Sequence, residues 1–84
     1  MALRYIGVDP NTGQGESPTV WNDDVKRRFV FQGYLGDADL IQQVNENPAP
    51  GHAAGVPEGE GVFTMPYRMA KIIREALDAA DELE

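Results

Sequence analysis

Residues 19–34 read TVWNDDVKRRFVFQGY, and this stretch decides the fold of the chain. β-Branched and aromatic residues concentrate at both of its ends, whereas residues 22–27 are mostly polar and charged. This pattern is typical of two strands joined by a turn, and it predicts an antiparallel β-hairpin. Because Phe29 and Phe31 alternate along the second strand, we expect them to share one face and to be buried against the core.

The C-terminal segment predicts an amphipathic helix. Pro66 suits the first turn of a helix, where its missing N–H is not needed. The apolar residues that follow recur at spacings of three and four, which places them on one stripe: Met69, Ile72, Ile73, Ala76, Ala80 and Leu83. We expect this stripe to face the core.

Two shorter elements are predicted between the hairpin and this helix. Asp37 suits the N-cap of a short helix. The apolar positions of that helix are Leu40, Ile41 and Val44, which fall on one face. Residues 62–65 favour a third short strand.

The segment that joins these two elements reads PAPGHAAGVPEGEG, residues 48–61, and contains three Pro and four Gly. Pro removes backbone donors and Gly raises the entropic cost of fixing the chain. The composition therefore predicts a mobile loop.

Together these elements predict an α+β fold in the order β-β-α-β-α. Two helices pack on a small, mainly antiparallel sheet made of the hairpin plus a third short strand. A chain of 84 residues is too short to divide its core in two, so we expect residues 1–84 to form a single domain.

Residues 7–19 (GVDPNTGQGESPT) are rich in Gly and Pro and predict a turn-rich loop. A calcium loop that began at Asp9 would need Gly and Glu where the chain has Gln14 and Val20. A P-loop would need Lys after its last Gly, but Gly15 is followed by an acid, and no dinucleotide fingerprint opens a helix here. We interpret these glycines as turn geometry.

The composition narrows the function classes. Seven Lys and Arg against fourteen Asp and Glu give a net charge of -7, which repels phosphate backbones and favours a basic protein partner over direct nucleic-acid binding. The absence of Cys excludes disulfides and thiolate metal sites. No signal peptide or membrane-spanning apolar run is present, so we expect a cytoplasmic protein that does not bind membranes.

Catalytic groups are scarce. His52 is the only His and Ser17 the only Ser, and neither lies in a motif that would activate a nucleophile or assemble a metal site. We expect His52 to be exposed in its loop. The sequence thus predicts a protein that is not an enzyme and that has no metal or cofactor.

Basic residues stand at the start of the predicted C-terminal helix, at Arg68, Lys71 and Arg74, whereas its end is acidic. This order opposes the helix macrodipole. In one interpretation, neighbouring acids simply neutralise the bases. In the other, these residues bind a small anion or nucleotide together with the free N–H groups of that helix end. The second interpretation predicts that phosphate-bearing ligands raise the melting temperature and that Arg68→Ala removes the effect.

Five segments carry a resemblance to a known family: YIGVDPNTG (5–13), SPTVW (17–21), FQGY (31–34), MPYRM (65–69) and IREA (73–76). Together they resemble short acidic actinobacterial proteins of unknown function that are often encoded beside helix-turn-helix regulators. The chain departs from that pattern at Tyr34, where Trp is more common, and at residues 25–28, where the family is more acidic. The resemblance implies that the protein works alongside a regulator, and it supplies no catalytic residues.

From the charge, the missing catalytic motifs and this resemblance, we predict a small non-enzymatic partner-binding protein. Its predicted partner is a basic regulator of the helix-turn-helix type, whose DNA-binding surface an acidic protein could occupy. Aromatic side chains often anchor interfaces, so Trp21, Tyr34 and Tyr67 are the candidate contact residues. Packing within the protein is the alternative role for each.

Overall fold

The computed structural model describes residues 3–11 and 17–83, and it confirms the α+β fold class. The elements, in chain order, are β1 (Leu3–Val8), β2 (Thr19–Asp23), β3 (Arg28–Gln32), β4 (Tyr34–Leu35), α1 (Ala38–Glu46), β5 (Phe63–Thr64), a 3₁₀ helix (Tyr67–Met69) and α2 (Ala70–Leu83). β1 and β4 are additions to the predicted order. The predicted loop at residues 7–19 therefore begins later, after Val8, and residues 12–16 lie outside the described residues.

The chain divides into two compact units. The first, called the sheet unit below, comprises Met1–Gly33 and Met65–Glu84. The second, called the inserted unit, comprises Tyr34–Thr64 and interrupts the first in sequence.

The sheet unit contains a three-stranded antiparallel sheet in the order β1-β2-β3. The predicted hairpin is confirmed: β2 pairs with β3 from Thr19 opposite Gln32 to Asp23 opposite Arg28, without a break in register. The pairing of β1 with β2 is less regular, because it shifts between Tyr5 and Gly7.

Helix α2 packs mainly on β1 and β2. The core between helix and sheet is formed by Val20, Met69 and Ala76, which are fully buried. Gly7 permits this packing, since a Cβ there would lie 2.9 Å from Cγ2 of Ile72. The apolar stripe of the helix thus faces the core as predicted, although Leu83 at its end stays exposed.

The predicted burial of Phe29 and Phe31 is wrong. Their side chains are 38% and 46% exposed. The register places them opposite Asn22 and Val20, so they do share the face that carries the helix. However, β3 is an edge strand beyond the main contacts of α2, and the helix leaves this end of the face open.

The start of the C-terminal helix also differs from the prediction. Pro66 has an extended conformation, with φ -67° and ψ 153°, and precedes the helix rather than lying in its first turn. Its carbonyl accepts a hydrogen bond from the N–H of Met69 at 3.0 Å. One turn of 3₁₀ helix then leads into α2 at Ala70.

The inserted unit is built from short elements. Strands β4 and β5 form a two-stranded antiparallel sheet, which is prolonged by a hydrogen bond of 2.9 Å from the N–H of Gly36 to the carbonyl of Val62. Asp37 caps α1 as predicted, because its Oδ1 accepts from the N–H of Leu40 at 2.9 Å. No residue of this unit is buried.

Between Glu46 and Phe63 the structure contains no helix or strand, which agrees with the absence of a packed element predicted for residues 48–61. His52 is exposed there, as expected. Gly51, Gly55 and Gly59 adopt positive φ angles, a conformation that side chains other than Gly disfavour.

Candidate functional site

An ion pair joins the end of β1 to the segment that precedes α2. Nε and NH2 of Arg68 each donate to one carboxylate oxygen of Asp9, both at 2.7 Å. The N–H of Asn11 donates to Asp9 Oδ1 at 3.0 Å. Asp9 is buried, whereas the side chain of Arg68 is 41% exposed. This bidentate geometry is the strongest that an arginine and a carboxylate can form.

The hydrogen bonds from Arg68 hold the pKa of Asp9 below its ordinary value of 3.8, and burial works in the opposite direction. The carboxylate is therefore charged at neutral pH. An external anion at Arg68 would have to compete with this internal one. Lys71 and Arg74, the other predicted anion-binding residues, are exposed in the first half of α2.

At the tip of the β2–β3 hairpin, acidic and basic residues pair with each other. Asp23 accepts from the N–H of Lys26 at 3.0 Å and from Nε of Arg28 at 3.1 Å. The N–H of Lys26 is the main cause that lowers the pKa of Asp23, burial raises it, and Arg28 lowers it further. Asp24 instead pairs with Arg4 of β1 at 3.1 Å.

The hairpin tip also caps the end of α2. Arg27 adopts a left-handed conformation, with φ 54°, and its NH1 donates to the carbonyl of Leu83 at 3.1 Å. A positive group at the C-terminus of a helix is favourable for the macrodipole. The acidic end of α2 is thus partly compensated from the hairpin, through a contact that joins residues distant in sequence.

A groove of about 250 Å³ lies between the hairpin tip and the end of α2. It is lined by Asn22, Asp23, Asp24, Arg27, Arg28, Phe29, Ala80 and Leu83. Its charged side chains are the same ones that pair with each other or with neighbouring groups. Each charged side chain of this described lining thus has an internal partner, and a ligand in the groove would have to compete with it.

Asn22, which lines this groove, also contacts α2. Its Nδ2 donates to the carbonyl of Ala76 at 3.0 Å, and the residue is buried. Its Oδ1 has no hydrogen-bond partner among the described residues. A buried acceptor of this kind is costly unless a water or another donor reaches it.

The three predicted aromatic contact residues lie on different elements. Tyr67, in the 3₁₀ helix, is 99% exposed. Trp21 is partly buried in the middle of β2, opposite Tyr5 and Val30. Tyr34 lies in β4 of the inserted unit and is exposed. Tyr34 and Tyr67 therefore have accessible aromatic surface and Trp21 is partly covered, and the contact role of all three stays a prediction.

The inserted unit exposes a further apolar surface that the sequence did not reveal. Leu35 and Phe63 are register partners in β4 and β5 and therefore lie side by side. They are 79% and 55% exposed. We call them the Leu35–Phe63 pair.

The charge of the inserted unit is of one sign. Its charged residues are Asp37, Asp39, Glu46, Glu58 and Glu60, and it contains no Lys or Arg. All seven Lys and Arg of the chain belong to the sheet unit. The inserted unit therefore combines exposed apolar side chains with an unbroken negative charge. The sequence already shows that residues 34–64 contain no Lys or Arg. Only the structure shows that these residues form one compact unit.

Within residues 3–11 and 17–83, no group of three His, Cys, Asp or Glu is placed to hold a metal ion. Neither of the two described α-helices has the length and apolar character needed to cross a membrane. Comparison with protein families, with curated proteins and with solved structures finds no match to this chain.

Proposed function

We propose that the protein is a small non-enzymatic binding protein and that the inserted unit contacts its partner. One observation carries the proposal: the Leu35–Phe63 pair is exposed in a unit whose charged residues are all acidic. Contiguous exposed apolar groups often mark interaction sites. Because charge complementarity steers association, the partner is a protein with a basic surface.

The specific partner that we propose is a DNA-binding regulator of the helix-turn-helix type, in keeping with the family resemblance. Its DNA-binding surface is basic because it must neutralise phosphates. An acidic surface with apolar anchors can occupy the same residues and thereby compete with DNA. Tyr34 precedes Leu35 in β4, so its side chain lies on the opposite face of the strand, and this proposal uses it as a separate aromatic anchor of the inserted unit.

The test begins with co-expression and co-purification of the protein with the products of neighbouring genes. The double variant Leu35→Ser and Phe63→Ser should lose the partner, because it removes the apolar anchors. The matched control is Val25→Ser, since Val25 is 76% exposed but lies at the hairpin tip of the sheet unit. This control should retain the partner, and circular dichroism should show that all variants are folded.

Two further measurements define the mode of binding. Raising the ionic strength should weaken the complex, because exposed charges are screened. In a mobility-shift assay, the protein should release the regulator from its DNA, and the double variant should not. Persistent failure to recover any basic or DNA-binding partner would contradict the proposal, as would equal binding by the double variant.

A further inference from the structure

The two edges of the three-stranded sheet differ in how well they are protected from pairing with another strand. β1 contains the register shift between Tyr5 and Gly7 and carries Arg4. Bulges and charges are common devices that prevent edge strands from pairing. β3 pairs with β2 without a break, and its central residues Phe29, Val30 and Phe31 carry no charge. β3 carries a charge only at its start, at Arg28, and has no bulge, so its edge is less protected than the β1 edge.

The sequence of β3 is complementary to itself when the strand is reversed. If two copies pair antiparallel about Val30, Val30 faces its own equivalent and Phe29 faces Phe31 of the other copy. Arg28 then faces Gln32, so no like charges oppose each other. Aromatic and β-branched cross-strand pairs of this kind stabilise antiparallel sheets.

The exposed side chains of Phe29 and Phe31 also fit this arrangement. Phe29 and Phe31 lie on the face that carries α2, at the end that the helix leaves open. Their rings are 6.2 Å apart and tilted by 32°. Pairing of two copies would bring four phenylalanine rings together in the space beside the two α2 helices. The surface that was expected to be buried within the chain would then be buried between copies.

We propose that β3 pairs with β3 of a second copy of this chain, in antiparallel register about Val30, and forms a continuous six-stranded sheet. Such an edge contact is small, so the dimer is a weak one that forms at high protein concentration. The net charge of -7 on each copy opposes association, and screening reduces that repulsion. Raising the ionic strength should therefore strengthen the dimer, which is the opposite of its effect on binding to a basic partner.

The chain has no Cys, which allows a direct test of the register. In antiparallel strands, residues directly opposite each other have Cα atoms about 4.5–5.5 Å apart, within the range that a disulfide spans. Val30→Cys should therefore form a disulfide-linked dimer in a glutathione redox buffer. Phe31→Cys is the matched control on the same strand, and it should not link to itself because it faces residue 29. A mixture of Phe29→Cys and Phe31→Cys should give the mixed dimer.

Sedimentation equilibrium tests the association without any disulfide. The unmodified chain should show a reversible monomer–dimer equilibrium, and Phe31→Lys should shift it to monomer because it places a charge on the edge. Leu35→Ser should leave it unchanged. The proposal would be overturned by a monomer at every accessible concentration, by Phe31→Cys linking to itself as readily as Val30→Cys, or by a dimer that Phe31→Lys does not weaken.

Discussion

The sheet unit and the inserted unit differ in what holds them together. The sheet unit buries Val20, Met69 and Ala76 between α2 and the sheet, and it ties its loops with ion pairs such as that of Asp9 and Arg68. The inserted unit buries no residue. Its order depends on a helix cap and on a few backbone hydrogen bonds.

This difference indicates a division of roles. Burial of apolar surface is the main source of folding free energy, so the stability of the chain resides in the sheet unit. Segments with few buried contacts open at low free energy, and binding segments are often drawn from them. The exposed side chains of Tyr34, Leu35 and Phe63 fit the binding role that we propose for the inserted unit.

The largest contrast between the units is expected from truncation of apolar residues. Met69→Ala should lower the free energy of unfolding by about 2–5 kcal/mol, because the side chain is fully buried and a cavity would remain. Leu35→Ala, at an exposed position of the inserted unit, should change it by less than about 0.5 kcal/mol. Urea unfolding followed by Trp21 fluorescence measures both. Similar losses for the two variants would contradict the division.

A smaller effect is expected where the helix approaches the sheet. Gly7→Ala should destabilise the protein by about 1–3 kcal/mol, because the new methyl group would press on the branched side chain of Ile72. Adding Ile72→Ala removes the obstructing atoms, so the double variant should lose less than the sum of the two single variants. Strictly additive losses would show that the strain does not arise at this contact.

The individual elements of the fold show which features can be predicted from the sequence and which cannot. The hairpin, the C-terminal helix and the Asp37 cap follow from patterns of a few residues, and the structure confirms them. The pairing of Asp9 with Arg68 spans 59 positions, and no local pattern records it. Phe29 and Phe31 were assigned to the correct face, but their exposure depends on which strands α2 covers. β4 has only two residues, too few for a periodic signal.

The candidate binding surface was harder to predict because it also depends on contacts between residues that are distant in sequence. Tyr34 and Tyr67 could be selected because aromatic residues anchor interfaces. The Leu35–Phe63 pair could not, since the two residues become neighbours only when β4 and β5 pair. Their apolar character alone would have suggested a core position.

A weaker effect is expected from acid, through two carboxylates of the sheet unit. Folding lowers the pKa values of Asp9 and Asp23 below 3.8. Their contribution to stability is therefore complete above the ordinary value and is lost as the pH falls below it. The melting temperature should decline from about pH 5 towards pH 2. Asp9→Asn should be less stable at neutral pH and should show a shallower decline, because of these two contributions only that of Asp23 remains.

Arg68→Gln provides the matching variant for this acid dependence. It removes the hydrogen-bonding partner that lowers the pKa of Asp9 most, so its decline should also be shallower than that of the unmodified chain. If the melting temperatures of both variants instead decline with pH as steeply as that of the unmodified chain, the pair between Asp9 and Arg68 does not link folding to pH.

The smallest effect is expected in the long loop of the inserted unit. Replacement of residues 51–56 by a Gly/Ser linker of equal length should leave the melting temperature nearly unchanged, since residues 51–55 are exposed and Val56 is only partly buried. Limited proteolysis should cleave this loop before any other described segment. A large loss of stability on replacement would show that Val56 or His52 contributes to packing.

Native-state hydrogen exchange, measured residue by residue by NMR at increasing urea, tests the division between the two units most directly. Amides in β2 and α2 should exchange only through global unfolding, with free energies that converge on the value from urea unfolding. Amides in α1, β4 and β5 should exchange at clearly lower free energies and with little dependence on urea. If the amides of α1 instead exchanged at the global value, the inserted unit would be part of the same cooperative core, and the division of stability from binding would be wrong.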